Sequence, residues 1–281
     1  MAQKGHGKRL GRVPVKRIWS RLMFSTLLRS KVALTILVLL CWALVFPGVG
    51  QAQTEDEVAK QIVAAGGIVV RDEEGKVDSI TLRPQRAKDF NHIDFGVFKN
   101  IKMVTVCGPE VTDQLLVQLQ AIPPTVKILK IFIAPLTDEA LAGLLRKQKW
   151  LVLVDLVVTP ITDKSLAELS KLQDLHTLFL DETKITDKGL KNLAKSQLTY
   201  LSLRDTGISD VGLLELKGMT TLRQLFLEGT KVTDGGIQNL GGLQDLKLLG
   251  VSSTNVTENG KMLLRATLPE LKYYERKKRP K

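Results

Sequence analysis

Along this chain apolar residues recur in one figure, L-x-x-L-x-L, followed by a polar turn and a second apolar pair at helical spacing. The clearest units are LHTLFLDETKITDKGLKNL (175–193), LTYLSLRDTGISDVGLLEL (198–216) and LRQLFLEGTKVTDGGIQNL (222–240). The third apolar position can be followed through Leu82, Val106, Ile131, Leu156, Leu180, Leu203, Leu227 and Val251, in steps of 24, 25, 25, 24, 23, 24 and 24 residues. Eight registers this regular define an internal repeat.

The pattern predicts its own structure. In L-x-L the leucines point to one side of a short strand and the residues between them to the other. The polar segment T-x-[IV]-[TS]-D turns the chain, and its Thr or Asp caps a helix by accepting an orphan backbone N–H. The apolar pair that follows, Leu190 and Leu193 for example, returns to face the strand. One such unit cannot bury its leucines alone, so successive units stack, with strands about 4.8 Å apart in a parallel sheet. Both ends of a stack need covering. Thr54-Glu55-Asp56-Glu57 has the form of a capping box that opens a helix. Val58, Ile62 and Val63 give that helix an apolar face, and Gly66-Gly67 ends it. Ile68–Val70 and Val77–Leu82 flank RDEEGK as the arms of a hairpin. At the other end Leu268, Leu271 and Tyr274 begin a ninth unit that stops.

These residues resemble the leucine-rich-repeat family, over about residues 77 to 274, roughly 70% of the chain. The I-T-D-x-G-L turn is similar to a subtype found in exported bacterial repeat proteins and in the repeat part of F-box proteins. No F-box stretch precedes the repeats, and the turn cysteine common in the F-box group is replaced by Thr159, Thr183, Thr206, Thr230 and Thr254. The resemblance implies an α/β fold: a right-handed leucine-rich-repeat solenoid, with a parallel concave sheet and outer helices. It also implies a protein-interaction scaffold without shared catalytic residues, and no enzyme is expected.

Charge changes this picture little. The formal net charge is +12, but residues 1 to 31 hold nine Lys and Arg with no acid, and 272 to 281 hold six against Glu275. Residues 32 to 271 therefore sum to −2, which argues against a nucleic-acid partner. The uncharged run Val32 to Phe46 follows the basic stretch, and Gly50-Gln51-Ala52 completes the three-part pattern of a secretory signal. Residues 1–52 thus form a basic region with a signal or, uncleaved, an anchor through residues 32–49. Residues 53–76 form the cap, 77–274 the solenoid of about eight units, and 275–281 a basic tail. Everything after the apolar run is expected to be exported to the periplasm, cell envelope or exterior, with membrane contact only through an uncleaved N-terminal segment. With Cys41 in that segment, Cys107 has no partner for an intramolecular disulfide.

Candidate chemistry is sparse. Asp89, Asp113, Asp138, Asp163, Asp187, Asp210 and Asp234 form a column that helix capping explains without calcium. His92 and His176 have no His or Cys at ligand spacing. No cofactor or metal is expected. The face of the sheet turned away from the leucines is richer. Ile128, Phe132 and Leu153, with Met103, Cys107 and Val157, make an apolar zone. Phe179, Tyr200 and Phe226 lie among Asp181, Glu182, Arg204, Asp205 and Glu228, and Arg204 stands between Asp181 and Glu228 on adjacent strands. Both zones are candidate ligand-binding surfaces for a protein or peptide partner. A second copy of the chain, in a structural, self-associating envelope component, is the alternative for the apolar zone. The signal pattern predicts a mature N-terminus at Gln53. Intact-mass analysis of the protein from its native host checks this, and a chain retaining residues 1 to 31 would identify an anchor.

Overall fold

The computed structural model describes residues 53–86, 89, 90 and 92–275. The expected export signal and residues 276–281 of the basic tail lie outside the described residues. The rest is an α/β solenoid built on one ten-stranded sheet in the order β1 to β10, each strand beside its neighbours in sequence. A cap comes first: helix α1 (Glu55–Ala64), then β1 (Ile68–Arg71) antiparallel to β2 (Val77–Leu82). Every later pairing is parallel, through β3 (Met103–Cys107), β4 (Ile128–Phe132), β5 (Leu153–Asp155), β6 (Thr177–Phe179), β7 (Tyr200–Ser202), β8 (Gln224–Phe226), β9 (Leu248–Gly250) and β10 (Lys272–Tyr274). Helices α2 (Asp113–Leu119), α3 (Asp138–Lys147), α4 (Asp163–Leu169), α5 (Asp187–Leu190), α6 (Asp210–Leu216), α7 (Asp234–Gln238) and α8 (Glu258–Thr267) alternate with the strands from β3 onward. None of the described helices is long and apolar enough to cross a membrane.

The core follows the repeat. In one unit Leu175, Leu178, Leu180, Ile185, Leu190 and Leu193 are all buried. Between β2 and β3 a short 3-10 turn (Phe95–Val97) stands where later units have a helix, and buried Phe90, Phe95 and Phe98 supply the missing apolar volume. At the first cap Thr54 Oγ1 accepts from the Glu57 N–H (3.3 Å) while the Thr54 N–H donates to Glu57 Oε2 (2.8 Å). Both halves of the capping box are therefore formed. The ninth unit contributes a strand, in which Tyr274 pairs with Gly250. The Tyr273 hydroxyl donates to the Lys261 carbonyl (2.9 Å), and burial pushes its pKa up to about 12.

The aspartate column does something other than cap its own helices. The N-caps are Thr112, Thr137, Thr162, Thr186, Ser209, Thr233 and Thr257, and Asp opens the first turn of α2 to α7. Each Asp carboxylate reaches across to the cap of the next unit. Asp187 Oδ1 accepts from the Ser209 N–H (2.8 Å) and its Oδ2 from the Ser209 hydroxyl (2.6 Å). Asp113, Asp138, Asp163, Asp210 and Asp234 do the same to Thr137, Thr162, Thr186, Thr233 and Thr257. Burial pulls the Asp138 pKa upward, but donation from Ser165 and Thr162 outweighs it and holds the carboxyl below its ordinary value. Asp89 stands apart and accepts from the Gln85 and Arg86 N–H groups.

This clamp favours a small residue at the glycine of I-T-D-x-G-L, and Ala140 holds that place in the unit clamped by Asp113. A Cβ on Gly189, Gly212, Gly236 or Gly260 would overlap the carboxylate of Asp163, Asp187, Asp210 or Asp234. Ser165, at the same place in its unit, donates its hydroxyl to Asp138 instead.

A second constraint recurs where each strand ends. Ile133, Val158, Glu182, Asp205 and Ser253 have φ between +53° and +59°, and Gly229 takes the same place at +74°. A left-handed non-glycine residue costs about 1–2 kcal/mol. The conformation is held because its N–H extends the ladder, as in Val158 N–H to the Asp181 carbonyl (2.9 Å). The turn hydroxyl behind it adds a bond from Thr159 to the Leu156 carbonyl (2.6 Å). The turn threonines at 183, 206, 230 and 254 repeat that bond at 2.5–2.7 Å.

Adjacent glycines in α7 separate the clamp from helix propensity. A Cβ on Gly236 would lie 2.7 Å from Asp210 Cγ, whereas one on Gly235 meets nothing nearer than Thr233 Oγ1 at 3.6 Å. Gly236→Ala should destabilise by about 1–3 kcal/mol, while Gly235→Ala should be neutral or stabilising by up to about 1 kcal/mol. Chemical denaturation of the two variants checks this, and equal midpoints would remove the clamp as the reason for the glycine.

Candidate functional site

The open face of the sheet carries three columns of side chains, and the strand pairing sets them in register. The middle column runs Thr81, Thr105, Lys130, Asp155, Phe179, Ser202, Phe226, Gly250, Tyr274. Strand spacing puts neighbours in a column within side-chain reach, so a diagonal set of aromatic residues becomes a continuous row. Ring centroids of Phe179 and Tyr200 are 4.6 Å apart, Tyr200 and Phe226 5.1 Å, and Phe226 and Tyr274 5.5 Å. Phe226 and Tyr274 lie two strands apart and meet edge-on above Gly250, which contributes no side chain between them.

The structure therefore brings Phe179, Tyr200 and Phe226 together, but it does not leave all three open. Phe179 and Tyr200 are half-buried, while Phe226 is only 4% exposed. The Arg204 guanidinium covers the Phe226 ring at 4.3 Å, and Tyr274, 39% exposed, closes its other approach. Tyr274 was absent from the sequence-derived face. The signal was present: the step of 24 residues from Phe226 to Gly250 leads next to Tyr274.

Asp181, Arg204 and Glu228 form one network. Arg204 Nε donates to Glu228 Oε2 (3.0 Å) and its Nη1 to Asp181 Oδ2 (3.3 Å). Asp181 also accepts from the Arg204 N–H (3.0 Å) and from the Ser202 hydroxyl. Glu228 is 1% exposed, and its carboxylate occupies the hollow left by Gly250, where a Cβ would come within 2.6 Å. Its Oε1 has no hydrogen-bond partner among the described residues. Burial opposes the Arg204 charge, but Glu228 and Asp181 outweigh it and raise the guanidinium pKa. One guanidinium between two carboxylates leaves this network negative, and exposed Glu182 and Asp205 extend the acidic edge.

Beside it, Asp155 pairs in register with Lys130 on one side and Phe179 on the other. Burial pushes its carboxyl above the usual range, against the Val157 N–H and Lys130, and the nearby Asp181 adds to the rise. Toward the first cap the face turns apolar. Ile128 and Leu153 are paired neighbours, Phe132 pairs with Cys107, and all four are half-buried. Ile133 and Val158 at the strand ends are exposed. The carboxylates from Asp113 to Asp234 are spent on neighbouring caps. Among the described residues no group of three or more His, Cys, Asp or Glu is arranged to hold a metal ion.

The leucine-rich-repeat family model matches residues 196–217, which span the end of one unit and most of the next. Among solved structures, internalin C2 (inlC2) from Listeria monocytogenes is 21% identical, with a TM-score of 0.54 over 77% of this chain and 91% of that one. An internalin (inlF) from the same organism is 18% identical, with a TM-score of 0.48 over 65% of this chain. The chain spans 50% of that structure's length. No curated protein matches it in sequence. At this identity the likeness to inlC2 is one of fold.

Asp155 supplies a pH prediction. Its folded pKa is raised, so the folded state holds this proton more tightly than the unfolded chain does. The stabilisation belongs to the protonated form, is fully present below the unfolded pKa and is lost as pH rises through the folded pKa. Asp155→Asn should therefore raise the denaturation midpoint at neutral pH, and that gain should vanish in acid. A gain independent of pH would show that the carboxyl is not the cause.

Proposed function

We propose that this chain, a leucine-rich-repeat protein, is an exported binding module and not an enzyme, and that it grips a protein or peptide on the open face of its sheet. The observation that carries the reading is the aromatic row Phe179–Tyr200–Phe226–Tyr274 beside an acidic edge. These side chains point away from the leucine core, and Thr81, Thr105 and Ser202 in the same column show that the fold accepts small polar residues there. Aromatic residues dominate interface energetics, with hot spots costing about 2 kcal/mol or more on truncation. Of the three aromatics in that candidate zone, Phe179 and Tyr200 make contact, and buried Phe226 with Arg204 supports them from beneath. Exposed Glu182 and Asp205, with the net negative Asp181–Arg204–Glu228 network behind them, favour a segment bearing Lys or Arg, with rim charges acting mainly on association rate and salt dependence.

A second reading rests on the apolar zone. Half-buried Ile128, Phe132 and Leu153 beside exposed Ile133 and Val158 suit a second copy of this chain. Sedimentation at rising concentration tests it, with Ile128, Phe132 and Leu153 changed to Ser as the variant that abolishes association.

Photo-crosslinking distinguishes the two. A benzophenone side chain at Tyr200, at Phe132 or at exposed Val211 on α6 is irradiated in the native host. A heterologous adduct from position 200 alone is the expected outcome, and Phe179→Ala should weaken it about tenfold or more. Adducts equally strong from position 211 would overturn the assignment to the sheet.

A further inference from the structure

A second surface lies where the helices run back into the strands. Trp150 is 53% exposed and is the sole tryptophan after residue 52. Its place before the strand is taken in other units by Thr125, Asp174, Gln197 and Thr221, so the fold does not need a large ring there. Trp150 walls a groove of about 510 Å³ at the C-terminal ends of α3 and α4, with Leu145 and Leu172 as its apolar lining.

The polar lining is mostly cationic. Arg146 and Lys171 both pair with Glu168, at 3.1 and 3.0 Å. Donation from Lys171 and then Arg146 lowers the Glu168 pKa and keeps it charged, so one carboxylate holds two cations in place. Lys149 lines the same groove and has no ion-pair partner among the described residues. Lys127 Nζ stands 5.6 Å from the centre of the Trp150 ring. The three cations of the lining against one carboxylate give +2 locally, in a stretch from residue 32 to 271 whose formal charge sums to −2. This concentration is a feature of the site and not of the composition.

We infer that this groove takes an acidic sugar ring of a polyanionic glycan. The aromatic wall offers a flat apolar surface to the C–H face of a pyranose, as indole does in other contacts with a polarised partner. Lys149, with Arg146 and Lys171, faces the ring's carboxylate or sulfate, and Gln173 supplies an amide for its hydroxyls. A bare phosphate has no use for the aromatic wall. An anionic bilayer is served best by apolar side chains standing proud of a cationic surface, whereas Trp150 here lines a recess. The site is independent of the open face of the sheet and stands or falls without it.

The test uses the full chain with three probes: polygalacturonate, neutral dextran of similar length, and phosphatidylglycerol vesicles. Binding to polygalacturonate that weakens with salt and is absent for dextran is the expected result. Trp150→Ala and Lys149→Glu should each reduce it about tenfold with unchanged thermal unfolding, because both side chains are exposed. Absent binding, equal binding to dextran, or affinity untouched by both substitutions would each overturn the proposal. Trp150-dependent binding to vesicles without binding to the polysaccharide would also overturn it and assign the groove to a lipid surface.

Discussion

Each unit of this molecule completes the one after it, and the atom group that does so is a carboxylate. The Asp of each turn from Asp113 to Asp234 gives both oxygens to the N–H and hydroxyl of the next helix cap. A helix N-terminus leaves orphan donors, and a negative charge beside it is favourable. The clamp meets both needs across a unit boundary. It also bears on composition further on: glycine at 189, 212, 236 and 260 keeps clear of the preceding carboxylate, Ser165 joins its hydroxyl to the bond, and the small Ala140 holds the same place beside the Asp113 clamp. Leucine burial supplies the bulk of the stabilisation, while the clamp fixes the step at which leucines stack.

Fixing that step fixes the open face. Parallel strands in constant register turn scattered residues into columns, and columns into contacts. Arg204 can span Asp181 and Glu228 only because β6, β7 and β8 deliver them side by side. Its charge is then used twice, once against the carboxylates and once over the Phe226 ring. A network of this kind is costly to leave incomplete. Its rigidity suits a surface that presents Phe179 and Tyr200 in a set orientation, because a preorganised face loses less entropy on binding.

The two faces differ in chemistry. The sheet offers aromatics with an acidic edge, and the groove at Trp150 offers an aromatic wall with cations. A scaffold whose strands and helices are both short leaves many loop positions free of packing duties, so separate surfaces arise on one core without competing for it.

Much of this was legible in the order of residues. The period near 24, the strand figure, the capping box at Thr54 and the columns of the open face follow from alternation and helical spacing. Those are local rules with a fixed geometry, so the fold class and the membership of Phe179, Tyr200, Phe226, Asp181, Arg204 and Glu228 in one region could be read directly. Three things could not. The aspartates looked like caps of their own helices, because a sequence shows neighbours along the chain and the clamp acts across 22 to 24 residues. The left-handed turn residue has no signature, since Ile133, Val158, Glu182, Asp205 and Ser253 share no chemistry and only the turn's hydrogen bonds impose the conformation. Exposure on the open face was decided by tertiary structure alone. Phe179 and Phe226 occupy the same column, yet Phe226 is covered by Arg204 and by Tyr274 from two strands away. Burial depends on which side chains lean over which, and that is settled only when the strands stand together.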